Sequence, residues 1–257
     1  NEIAKSHGIK TGDTIWQAKQ KCPALVVVPP HFDLYMSYSE QIFELYTEFT
    51  DLVEPFGPDE CWLDVTGSMH LFGDGKQIAD KIRAEIKNRF ALTASVGVSF
   101  NKVFAKMGSD IKKPDATTVI DRDNFRSIIW KLPVSDMLMV GKKTAEKLDG
   151  LNIHTVGDLA NADSGALTKL LGANGMSIYK SARGEDTTPV RKYHLSREIK
   201  SVGHGMTAVK DITTEEDART LILYLSDLIA ARMRKYGVRG CGISVHVRYY
   251  DLSLSLI

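Results

Sequence analysis

Cysteine is scarce in this sequence: three residues, Cys22, Cys61 and Cys241, in a chain of 257. The number is odd and the spacings are wide, so there is no disulfide framework and no zinc-ligand pattern, and a reducing compartment is implied. Long hydrophobic runs are missing too. Stretches such as residues 25–30 fall far short of the roughly 20 apolar residues that span a bilayer, and no charged segment followed by an apolar one opens the chain. The expectation is a cytoplasmic protein with no membrane partner. Net charge is almost nil: 33 Lys and Arg against 32 Asp and Glu leave +1, which excludes a polybasic tail or an acidic solvating tract. The seven histidines show no ligand spacing. What is present is 43% apolar residues, enough to bury cores for about two domains at roughly 150 residues each.

The balanced total hides an asymmetry. Residues 1–75 carry twelve acids and four bases, with no Lys or Arg between Lys21 and Lys76, whereas residues 191–257 carry eleven bases and seven acids. Glu40, Glu44 and Glu48, spaced by four, read as a solvated helix face. Both ends of the sequence run straight into apparent secondary structure, which suggests that both are cuts.

Along the chain, residues 25–28 (Leu-Val-Val-Val) before Pro29-Pro30 read as a buried strand with a hard stop. Residues 37–54 are expected to be helical, with apolar positions at 42, 43, 45, 46 and 49. Residues 61–65 read as a strand that turns at Gly67-Ser68 into a second arm at 69–72. An amphipathic helix at 80–90, a strand at 92–100, a helix at 102–112 and a short strand at 117–120 complete an α+β layer pair with a mainly antiparallel sheet. Residues 124–184, punctuated by glycines, read as a small all-helical domain, and 187–194 as a linker. Beyond it, strands are expected at 202–209 and 242–250 and a long helix at 215–236.

Asp59 and Glu60 follow Gly57-Pro58 at the mouth of the first hairpin. Adjacent residues of a regular strand point to opposite faces, so both carboxylates reach one ion only where the backbone is still irregular, and Pro58 favours that. Two carboxylates repel unless a cation lies between them, and Mg²⁺ takes one or two carboxylates plus phosphate oxygens. Lys102 and Lys106, four apart, read as an exposed helix face. Lys113 is fixed in a turn by Pro114, where it can neutralise a triphosphate. Gly141-Lys142-Lys143-Thr144 reads as the turn of a helix-hairpin-helix, whose helix N-terminus accepts DNA phosphates without reading bases. Arg232, Arg234, Lys235 and Arg239 gather at the end of the last helix, where cations suit the dipole.

Three stretches carry these features in one order: Pro58-Asp-Glu-Cys-Trp-Leu-Asp-Val-Thr-Gly-Ser68, Val96-Gly-Val-Ser-Phe-Asn-Lys-Val-Phe-Ala-Lys106 with Lys113-Pro114, and Gly141-Lys-Lys-Thr-Ala-Glu-Lys-Leu148. Together they resemble the Y-family lesion-bypass DNA polymerases, nearest the bacterial DNA polymerase IV group, over essentially the whole chain. The resemblance implies an α+β multidomain fold. Its parts would be partial fingers at 1–30, an antiparallel-sheet palm with helices on one face at 31–120, a thumb with the helix-hairpin-helix at 121–187, a linker at 188–197 and a partial little finger at 198–257.

It also implies translesion DNA synthesis by two-metal nucleotidyl transfer, with two Mg²⁺ ions roughly 3.5–4 Å apart. Asp59 and Glu60 would be catalytic metal ligands, and Lys113 and Lys5 would contact the incoming dNTP. Gly141, Lys142, Lys143, Thr144, Lys200, Ser201, Arg232, Arg234 and Arg239 would contact primer-template DNA. A sliding clamp would be met through a C-terminal segment outside this chain. The family's other catalytic Asp and its ribonucleotide-excluding residue would lie upstream of Asn1, so the 257 residues alone are expected to bind DNA without extending it. Ala116 and Met139 stand where the family usually has Gly, and Glu2 where it usually has Tyr. Two readings from other classes are a catalytically inactive DNA-binding scaffold and a nucleotidyl cyclase with a similar palm.

Overall fold

In a computed structural model, residues 1–193 and 199–256 are described. Two units are distinguished, 1–194 and 195–257, and each is taken by itself.

The first unit opens with α1 (Glu2–Ser6), α2 (Ile15–Lys21) and α3 (Phe32–Thr47), followed by β1 (Val53–Pro55) and β2 (Cys61–Leu63). Then come α4 (Met69–Phe72), α5 (Gly75–Phe90), β3 (Val96–Ser99), α6 (Lys102–Ile111) and β4 (Thr117–Ile120). The remaining helices are α7 (Phe125–Ile128), α8 (Lys142–Asp149), α9 (Val156–Asn161), α10 (Ser164–Leu171) and α11 (Ala173–Ala182).

β1 and β2 pair antiparallel, with Pro55 opposite Cys61, so the hairpin turn is residues 56–60. The arm expected at 69–72 is instead the short helix α4. β3 and β4 pair in parallel, Val96 opposite Thr117, because α6 intervenes as the crossover that parallel strands require. The antiparallel pairing expected of the sheet is therefore confined to the β1–β2 hairpin within this unit. The helix expected through residue 54 ends at Thr47, which releases Val53–Pro55 to pair. Residues 25–28 form no strand. Val26 and Val28 are exposed, and among the described residues none pairs with them to form a ladder.

Two apolar clusters hold this unit. Leu45 and Phe49 meet the Ile78, Ile82 and Ile86 stripe of α5. α5 begins at Asp74 with a reciprocal cap to Gln77, which satisfies its first amides. The larger cluster is continuous from α6 into the helical part: Phe104 and Met107 pack with Phe125, Ile129, Leu148, Val156, Leu159 and Leu167. The Phe104 and Phe125 rings stack with centroids 5.4 Å apart. α6 lies unusually close to β3. A Cβ on Gly97 would overlap the Ala105 carbonyl, so only glycine admits this approach.

Residues 187–193 carry no helix or strand, yet they are tied down. Arg191 reaches Glu54, Lys192 pairs with Asp51 at 2.8 Å, and the Tyr193 ring meets that of Phe43 edge-on at 6.0 Å. The rest of the expected linker, 194–197, lies outside the described residues.

The second unit has α12 (Glu215–Tyr236), capped by the Thr214 side chain and closed by Gly237 at φ +64°, with β5 (His246–Arg248) and β6 (Leu254–Leu256) paired antiparallel. The strand expected at 202–209 is absent. That segment contains Gly203 and Gly205, which weaken a strand by backbone entropy. Among the described residues no helix is long and apolar enough to cross a membrane.

Candidate active site and nucleic-acid interface

Asp59 and Glu60 sit in the β1–β2 turn. Phe56 donates its amide to the Glu60 carbonyl at 2.7 Å, and Gly57 takes φ +117°, so the turn is closed by backbone geometry that favours glycine. The hairpin is then fastened to α6. Trp62 Nε1 donates to the Lys102 carbonyl at 2.9 Å, the Lys102 ammonium stands 4.6 Å over the Trp62 ring, and Phe56 packs on Trp62 at 4.7 Å. α6 itself starts at Asn101, whose side chain accepts from the Phe104 amide at 2.8 Å. The turn carrying the carboxylates is thereby placed against one particular helix.

Glu54 is the middle residue of β1, opposite Trp62 in the hairpin, and is 4% exposed. Its carboxylate accepts from Lys102 Nζ at 2.7 Å, from the Arg191 guanidinium at 2.8 Å and from the Arg191 amide at 3.0 Å. Burial opposes the charge, but the hydrogen bonds from Arg191 and Lys102 outweigh it and hold the carboxyl at about 2. Lys102 is only 11% exposed, and Lys106 18%. Both belong to ion pairs in the structure, which corrects the expectation of a solvated lysine face.

A row of alternating charge runs along α6. Lys106 Nζ is 3.4 Å from Glu60 Oε1 and 2.6 Å from Asp110 Oδ2, and Lys113 Nζ is 2.7 Å from Asp110 Oδ1. Burial again opposes the Asp110 charge, while the two lysines hold its carboxyl below the usual range. Asp59, exposed, makes no hydrogen bond or ion pair with the described residues. The turn after Lys113 is held by Arg83 of α5, which donates to the Asp115 carbonyl, to its carboxylate at 2.7 Å, to Thr117 Oγ1 at 3.2 Å and to the Ala94 carbonyl at 3.3 Å.

Glu60 and Lys113 are thus linked through the α6 side chains Lys106 and Asp110, and Asp59 adjoins Glu60 in the turn. Lys5 stands apart on α1, paired at 3.1 Å with Glu2 on an exposed surface. Glu54, Arg83 and Asp110 were missed by sequence reasoning. Asp110 was within reach of it, four residues after Lys106 on one helix and three before Lys113 in the turn that follows. Glu54 was not, because its partner Arg191 is 137 residues away.

In the helical part, Gly141 caps α8 without any side-chain bond. The Thr144 and Ala145 amides return to the Gly141 carbonyl at 2.9 Å each, which leaves the amides of Lys142 and Lys143 for an outside acceptor. The Lys142 and Lys143 side chains are exposed and make no ion pair with the described residues, and Thr144 is half-buried. Leu148, Ile153, Val156 and Leu159 fix this hairpin from below. Met139, which leads into it, has φ +71° and is 70% exposed. A non-glycine residue in that region costs about 1–2 kcal/mol.

In the second unit Lys200 and Ser201 are exposed and outside any helix or strand. Arg232 donates to the Gly203 carbonyl at 2.9 Å and to His204 at 2.6 Å, so it is engaged in holding residues 203–204 to α12. Arg234 and Arg239 are exposed and pair with no described acid.

Residues 1–110 match the impB/mucB/samB family, residues 199–255 the C-terminal domain of the same family, and residues 136–186 the thumb domain of DNA polymerase iota. The DNA polymerase IV of Acetivibrio thermocellus is 47% identical over 252 residues, covering 98% of this chain and 63% of that protein. The DNA polymerase IV 1 of Bacillus subtilis is 39% identical, covering 96% and 59%. The chain therefore spans about three fifths of the length of the curated relatives it matches. Among solved structures, a Y-family DNA polymerase chimera superposes with a TM-score of 0.87 at 26% identity, over 100% of this chain and 73% of that one. The insertion ternary complex of Dbh DNA polymerase does so with a TM-score of 0.71 at 28% identity, over 100% and 73%. With relatives of one kind along its whole length, the chain belongs to the impB/mucB/samB family and, within it, to the Y-family DNA polymerases.

Proposed function

We propose that this chain supplies the catalytic and DNA-gripping part of a translesion DNA polymerase, which adds deoxynucleotides from dNTPs to a primer 3′-hydroxyl on damaged templates. The observation that carries this reading is α6: it bears Lys106 and Asp110, pairs through Asp110 with Lys113 in the turn that follows, and holds the Asp59–Glu60 turn against its side. The names of the relatives support it.

The residues present suit a hard divalent cation. Asp59 and Glu60 offer oxygen donors, Asp59 has no competing partner among the described residues, and Mg²⁺ needs only one or two carboxylates beside phosphate and water oxygens. No third carboxylate, His or Cys joins them among the described residues. Asp59 and Glu60 would hold Mg²⁺, two ions in the full site, and the bound metal supplies charge neutralisation and activation of the primer hydroxyl. The protein's own contribution is positioning. Lys113 places the triphosphate, and the Gly141–Thr144 turn takes backbone phosphates. Lys200, Ser201, Arg234 and Arg239 add sequence-independent contacts, and Lys5 lies on the fingers side.

The test is extension of a primer-template by the full-length polymerase that carries this chain, with four dNTPs and Mg²⁺, on intact and abasic templates. Extension of both confirms the reading. Pyrophosphate release without any primer would replace it by a cyclase, and DNA binding without extension by a scaffold.

The thumb contact has its own expected result. Replacing Lys142 and Lys143 together by Ala weakens binding equally for all DNA sequences and lowers the slope of log K against log salt by roughly two. An unchanged slope removes the hairpin from the interface.

A further inference from the structure

We propose that Asp110 is a stand-in for the substrate's triphosphate, pairing with Lys113 until a nucleotide binds and surrendering it then. The proposal rests on the polymerase reading above. It starts from the charge row: Glu60, Lys106, Asp110 and Lys113 alternate in sign and sum to zero, each within 3.4 Å of the next. Its two ends are the groups assigned to ligands, Glu60 to the cation and Lys113 to the triphosphate. Its centre, Lys106 with Asp110, is separated by 2.6 Å and spaced four apart on one helix. When the ends turn to their ligands, the central pair remains neutral on its own.

The row also assigns Asp110 an energetic role of defined sign. The Lys113–Asp110 pair is half-exposed, 56% and 50%, and an ion pair so open to solvent is weak enough for a triphosphate to displace. Asp110 additionally repels the triphosphate. Both effects oppose nucleotide binding, so Asp110 is a positioning residue that weakens ground-state affinity. A residue that merely built the helix would have the opposite sign, because its loss would loosen α6 and weaken binding.

The experiment is equilibrium binding of dATP, with Mg²⁺, to the full-length polymerase on a dideoxy-terminated primer-template, followed by fluorescence so that no turnover is needed. Asp110→Asn keeps shape and removes charge. The expected result is dATP bound roughly 3- to 10-fold more tightly, with the melting temperature unchanged within about 2 °C, and the gain lost when Lys113→Ala is added. Unchanged or weaker binding by Asp110→Asn, while Lys113→Ala alone still weakens binding, would overturn the stand-in role and leave the polymerase reading intact. Unaltered dATP affinity in Lys113→Ala alone would overturn both the exchange and the assignment of Lys113 to the triphosphate.

Discussion

Asp59→Ala in the full-length polymerase is expected to reduce primer extension about a thousandfold or more while leaving metal-free DNA affinity and thermal stability unchanged. A metal's stabilisation of developing phosphoryl charge amounts to several kcal/mol, and each ~1.4 kcal/mol is tenfold in rate. The separation from stability follows from where Asp59 lies. It is exposed in the 56–60 turn and bonds to no described residue, and surface changes of that kind usually stay within about ±0.5 kcal/mol. The separation from DNA affinity follows because the phosphate contacts are assigned to the α8 turn, built on a different set of apolar residues. Glu60→Gln is a less clean probe, since it also alters the partner of Lys106. Retained extension by Asp59→Ala would move the catalytic centre elsewhere and remove the metal-ligand role from this turn.

Much of the scaffold under this site was legible because its signals are local. The Ile78, Ile82 and Ile86 stripe specifies α5, and Thr214 and Gly237 bracket α12 at the ends expected from its apolar period. The failures share one cause. Residues 25–28 look like strand by composition, but a strand exists only beside another edge. Residues 69–72 could pair or coil, and the pairing of β2 with the earlier β1 decides the matter. Lys102 and Lys106 look solvated from their spacing, yet they are drawn inward by Glu54 and Glu60, 48 and 46 positions earlier in the chain. Tertiary charge partners leave no periodic trace, so the carboxylates and Lys113 could be named from motifs while the groups that fix them could not.

Glu54→Ala is expected to destabilise the first unit by about 3–5 kcal/mol, because it leaves a buried ammonium without its counter-charge. Lys102 would keep only the Pro189 carbonyl at 3.4 Å and the face of Trp62, and Arg191 would lose both of its bonds to the carboxylate. At roughly 2–4 °C per kcal/mol for a unit of this size, the melting temperature should fall by about 10 °C. Glu54→Gln, which keeps an acceptor of the same shape, should fall less. The pH dependence has a definite sign. The carboxyl is held at about 2 in the folded chain against 4.5 when unfolded, so its stabilising contribution is complete above pH 4.5 and is lost as pH falls from there toward 2. In Glu54→Gln that acid-sensitive component disappears. Residues 189–193 should also loosen, so tryptic cleavage after Arg191 and Lys192 should accelerate before the unit unfolds. Because Lys102 opens α6, its displacement would reach Lys106 along the same helix and Lys113 in the turn that follows it, and activity should fall even below the new melting temperature. A melting temperature within about 2 °C of the parent, with unchanged cleavage at Arg191, would show that the buried carboxylate neither anchors residues 189–193 nor steadies α6 against the Asp59–Glu60 turn.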